Sequence, residues 1–144
     1  MPTSYEVHGR FELRREGDIL FLDLHGPWNM ECIREAADAA WPIILDIQAR
    51  GPVGVVVAAH GSMLGTIDAV HAIREETGRR GKQNRMAVAW VAAPGIEGRQ
   101  VMSTMLQQAY EGLVAFESFD AVAPAVTWIR GKVDAWRAEA AAAR

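Results

Sequence analysis

The stretch Val53–Asp68, "VGVVVAAHGSMLGTID", decides the fold. Val53 to Ala59 is continuously apolar and rich in β-branched residues, the pattern of a strand covered on both faces. Gly61 and Gly65 mark a corner. Ile67, Val70 and Ile73 then recur at helical spacing, so a helix starts near Thr66, and Gly78 is expected to end it. A buried strand that hands directly to a helix is one unit of a parallel sheet, because parallel neighbours need a crossover between them.

Towards the C-terminus the unit repeats. "MAVAWVAA" (86–93) reads as a second buried strand. "PGIEG" leads to a helix with Val101, Met102, Met105, Leu106, Ala109 and Tyr110 on one face, ended by Gly112. "LVAFES" (113–118) is a short strand, and Ser118 or Asp120 is expected to cap a last helix carrying Val126, Trp128 and Ile129. Towards the N-terminus, Asn29 caps a helix striped by Ile33, Ala37, Ala40, Trp41 and Ile44, which Pro42 should kink or restart. Before it, Phe11 and Leu13 alternate with charges, Glu16-Gly17 makes a turn, and Ile19–Leu24 forms an inner strand. The order ββαβαβαβα predicts a single-domain α/β protein: a mixed β-sheet with an N-terminal hairpin, flanked by helices. Residues 1–131 make the domain and 132–144 a C-terminal helical extension or tail.

Composition narrows the function. Half of the 144 residues are hydrophobic, enough for a core without staples. A net charge of -3 gives no drive towards nucleic acid. The basic run Arg79, Arg80, Lys82 and Arg85 has no aromatic between its charges and reads as a solvated loop. Cys32 is the single cysteine, which fits a reducing, cytoplasmic setting. No apolar run is long enough for stable membrane insertion.

Several segments together resemble the STAS superfamily of sulfate-transporter and anti-sigma-factor-antagonist domains, and its SpoIIAA-like branch most closely. They are the hairpin "FELRREGDILFLDLHGPW" (11–28), "GVVVAA" (54–59), "MAVAWVAAP" (86–94) and "VAFESFDAVAPAVTWIR" (114–130). The last is similar to the branch's ending: a strand to a phenylalanine, an acidic cap, then Ala-x-x-Trp-aliphatic, matched by Ala125, Val126, Thr127, Trp128 and Ile129. The likeness covers roughly 8–131, and Pro124 departs from it. It implies a small mixed sheet flanked by helices. In the family's antagonists a serine, preceded by an aspartate, is phosphorylated at the start of the helix after the third strand. Here the matching pair is Asp68-Ala69, so the serine is missing. The resemblance therefore implies a non-enzymatic regulatory or protein-interaction module without that switch, bound to a protein partner or to a second copy as a homodimer. The branch is also similar to lipid-carrier folds, so a carrier or sensor of a small apolar ligand is the alternative.

The residues themselves leave the chemistry thin. "GSMLGT" has glycines four apart but lacks the lysine of a phosphate-binding loop. Ser62 lacks the Gly-x-Ser-x-Gly frame of a hydrolase nucleophile, and His60 lies too near in sequence to serve as its base. No metal or cofactor signature is present. The expected interaction loop comprises His60, Ser62, Thr66 and Asp68, joined by residues 94–99, where Arg99 would pair with an acid. Ser62 or Thr66 could replace the missing serine as phospho-acceptor, and the sequence leaves open whether either is phosphorylated. The expected apolar pocket is Trp41, Ile44, Met102 and Met105.

Overall fold

The computed structural model describes residues 7–80 and 85–144. Strands β1 (Arg10–Glu16), β2 (Ile19–His25), β3 (Val53–His60), β4 (Met86–Val91) and β5 (Ala115–Phe119) form one sheet in the order β1-β2-β3-β4-β5. Only β1 runs antiparallel to its neighbour. The helices are α1 (Met30–Gln48), α2 (Ile67–Arg80), α3 (Arg99–Tyr110) and α4 (Val122–Ala142). The element order and the mixed sheet are those expected.

The monotonic strand order fixes the layers. Each crossover from β2 to β5 steps the same way, and crossovers are right-handed, so α1, α2 and α3 all land on one face. There they cover Leu20, Leu22, Leu24, Val55, Val57, Val88 and Trp90 in the larger core. The chain leaves β5 with only the other face open, and α4 covers it with Ala125, Ile129 and Val133. That face is built from small residues under the helix, among them Gly54, Ala58, Ala87 and Ala89. A Cβ on Gly54 would lie 2.2 Å from Ile129 Cγ2, so the close approach of α4 requires glycine there.

Several boundaries differ from expectation. The hairpin pairs Glu16 with Ile19, so its tip is Gly17-Asp18, and Gly17 takes the left-handed φ of 61° that the turn needs. Helix α1 runs unbroken through Pro42, whose side is exposed. Its start is as expected: the Asn29 side chain accepts from Cys32 N at 3.1 Å. Helix α2 passes Gly78, because Glu76 and Thr77 are buried against the neighbouring helix and Arg34 holds Glu76 at 3.5 Å. Neither Ser118 nor Asp120 caps α4: Ser118 is paired with Trp90 inside the sheet, and Asp120 is held by Arg99. Ala121 takes the cap position without a side-chain bond. The expected boundary at 131/132 falls inside α4, where Val133 is buried and Arg137 reaches Asp18 at 2.9 Å. The loop expected around 79–85 lies mostly outside the described residues. No described helix is long and apolar enough to cross a membrane.

Candidate functional site

The loops that follow β2, β3, β4 and β5 gather at the C-terminal rim of the parallel strands. They are stitched to one another rather than left loose. Gly26 N donates to His60 O at 3.1 Å, and Trp28 N donates to Leu64 O at 3.0 Å. Thr66 N returns a bond to Trp28 O at 3.3 Å, and Met63 N donates to Glu97 O at 2.8 Å. These bonds carry the sheet pattern past the strand ends, through bridges Trp28–Gly65 and Ser62–Glu97. Trp28 is the wedge. Its ring lies where a Cβ on Gly65 would sit, 2.2 Å away, so the corner needs glycine for space.

Within this frame Ser62 is buried and committed. Its hydroxyl donates to Glu97 Oε1 at 3.0 Å and accepts from Leu64 N at 3.1 Å. His60 points elsewhere: its Nε2 lies 2.7 Å from Asp23 Oδ1, and its ring stacks on His25 at 4.7 Å. Thr66 caps α2, accepting from Ala69 N at 3.3 Å, and its hydroxyl also bonds the Asp68 carboxylate. Ala69, in the first turn of α2, is fully buried. Arg99 donates to Ala92 O at 3.2 Å and forms an ion pair with Asp120. His60, Ser62, Thr66, Asp68 and Arg99 thus lie at the strand-to-helix corners of one rim, but the first two serve different neighbours.

No protein-family model matches this chain, and no curated protein matches it either.

Three large apolar side chains stand out to solvent on the rim, among exposed polar ones such as Thr66, Asp68 and Glu97. Leu64 is 38 % exposed and leans on Gly98, Ile67 opens α2 at 67 %, and Val101 in the first turn of α3 is 62 % exposed. Asp68 and Arg99 flank them in sequence.

A second feature lies on the α4 face of the sheet, on the strands farthest from β5. Asp23 and His25 alternate outward on β2 and meet His60 of β3 and Glu12 of β1, with His25 Nε2 3.7 Å from Glu12. The sequence reading missed Asp23, His25 and Glu12. Their signal was the change in "ILFLDLH" from an apolar run to strict alternation at Asp23. Among the described residues no group of three or more histidine, cysteine or acidic side chains could hold a metal ion.

The cavity between α1, α2 and the sheet holds about 100 Å³. Trp41, Leu22, Val57, Trp90, Glu76 and Tyr110 are among its lining. Of the expected pocket residues only Trp41 lines it; Ile44 and Met102 are buried in the surrounding core, and Met105 packs against that core. Tyr110 accepts from Trp90 Nε1 at 3.1 Å, and burial pushes its pKa up to about 12. Cys32 is fully buried, and desolvation, aided by Glu35, raises its pKa. Burial outweighs the helix start there, which makes the thiol a poor nucleophile.

Proposed function

We propose that the chain is a non-enzymatic protein-interaction module of STAS, SpoIIAA-like type that docks a protein partner through the rim around Leu64, Ile67 and Val101, without a serine phospho-switch. The observation that carries this reading is the exposure of these three large apolar side chains on a corner that backbone bonds hold stiff. Apolar residues on a pre-formed surface, rimmed by charge, suit a protein interface because little ordering entropy is lost on docking. The buried alanine at position 69 supports the absence of the switch, since a phosphate there would have to displace core packing. Ser62 is a poor substitute acceptor because its hydroxyl is buried in two bonds.

The carrier reading draws on the apolar cavity under Trp41. Its volume of about 100 Å³ falls below the ~300–1,000 Å³ usual for small-molecule sites, so a lipid chain would need the helices to part. That size favours the interaction module.

A photo-crosslinking residue placed at Ile67 or Val101, in the host cell, tests the ranking. One discrete adduct shared by both sites, and absent from a probe at exposed Gln107, is expected. Native mass spectrometry of the unmodified protein supplies the opposing result: a co-purified lipid-sized mass, with no adduct at either site, would overturn the docking reading in favour of the carrier.

A further inference from the structure

We propose that β1 is a self-recognition edge, through which two copies of this chain pair antiparallel and join their sheets into one. Among the described residues no strand covers the outer edge of β1. An open edge of seven residues carries unpaired backbone donors and acceptors, which proteins ordinarily blunt with charge. The charges on β1 do not blunt it against a second copy. Its sequence, Arg10-Phe11-Glu12-Leu13-Arg14-Arg15-Glu16, is complementary to its own reverse.

Two-fold symmetry requires even positions to face even positions across the join, because opposed residues share a face of the sheet. One such register, centred on Leu13, pairs all seven residues. It sets Arg10 against Glu16, Glu12 against Arg14, and the same two pairs again by symmetry. Registers centred on Glu12 or Arg14 instead place that residue against itself and oppose like charges at the flanking positions. On the face towards α1, the Leu13 register brings the two Leu13 side chains together and sets Arg15, which bonds Asp46 on its own protomer, opposite Phe11.

The backbone agrees. In a two-residue hairpin the residues beside the turn exchange ladder bonds, so Glu16, Arg14, Glu12 and Arg10 direct their backbone groups at β2. Phe11, Leu13 and Arg15 then direct theirs outward, and these are the residues the symmetric register needs for its bonds. The charged side chains that would cross the join are exposed, although Arg14 also lies over the Phe21 ring and Arg15 bonds Asp46 at 2.7 Å. Arg14 and Glu16 now pair with each other on the same strand, both more than half exposed, and among the described residues Glu12 pairs with His25 at 3.7 Å. The edge is independent of the rim around Ile67, so either proposal can fail alone.

Sedimentation equilibrium of the 144-residue chain at low salt tests it. Edge pairing alone is a small interface, so the wild type is expected to dimerise weakly, and less so as salt rises. Glu12→Arg and Arg14→Glu each place like charges opposite one another twice and should weaken association by ~10-fold or more. An equimolar mixture of the two variants restores opposite charges at both places and should recover the dimer. Both sites are exposed, and circular dichroism with thermal melting checks that each variant stays folded. A wild type that remains monomeric at high concentration, a dimer untouched by either variant, or a mixture that fails to recover would each overturn the proposal.

Discussion

Trp28 shows how much one side chain organises. It is buried against Trp90 with ring centroids 5.9 Å apart, and its plane occupies the space over Gly65. Gly65→Ala forces a methyl into that ring and should cost about 1–3 kcal/mol, read as a shifted urea midpoint with unchanged m-value. An unshifted midpoint would show that the corner can relax. Tyr110 makes a second prediction with a definite sign. Its folded pKa of about 12 lies above the ordinary value of 10.0, so the folded state holds its proton between those values while the unfolded state releases it. Stability from this group is therefore complete below pH 10 and falls as pH rises towards 12. Between pH 8 and pH 11 the wild type should lose about 1.4 kcal/mol relative to Tyr110→Phe, which carries no such proton. Parallel denaturation curves of the two proteins measure it, and a constant gap would refute the burial argument.

At the scale of the element, α4 runs without a break into the segment that sequence reasoning set apart as a helical extension or tail. "VDAWRAEAAAAR" has strong helix formers and few large apolar residues, so it reads as a helical extension or tail. In the fold its Val133 is buried, Arg85 lies over the Trp136 ring, Arg85 meets Glu139 at 2.6 Å, and Arg137 meets Asp18 at 2.9 Å. The ion pairs are exposed and worth ~0–1 kcal/mol each, so Val133 carries most of the effect, about 1.5–3 kcal/mol. Deleting 132–144 should lower stability by at least about 2 kcal/mol, and Val133→Ala alone by a good part of that. A truncated protein with the wild-type melting temperature would mean that the segment is dispensable. The loss could not be foreseen from spacing, because the partners Asp18 and Arg85 come from distant strand ends.

For the whole molecule, the uneven cover of the sheet matters most. Three helices shield one face, α4 alone shields the other, and the hairpin strands project beyond it with Glu12, Asp23 and His25 towards solvent beside His60 at the end of β3. The rim and the β1 edge are therefore separate surfaces. Ile67→Asp combined with Val101→Asp should abolish crosslinking from a probe at Leu64 while leaving the melting temperature within about 1–2 °C, because exposed substitutions seldom change stability by more than ~0.5 kcal/mol. Retained crosslinking would place the partner elsewhere.

The sequence by itself determined the element order, the hairpin and the parallel strands, because strand and helix periodicities are local and survive without partners. It also placed the start of α2 near Thr66, and it placed His60, Ser62, Asp68 and Arg99 around the strand-to-helix corners after β3 and β4, since corner position follows from element order. Only the tertiary structure decided what those residues do. Ser62 meets Glu97 across 35 positions, and His60 meets Asp23 across 37. Such contacts depend on strand register and on which face a helix covers. Both are settled by long-range packing, which no local pattern records.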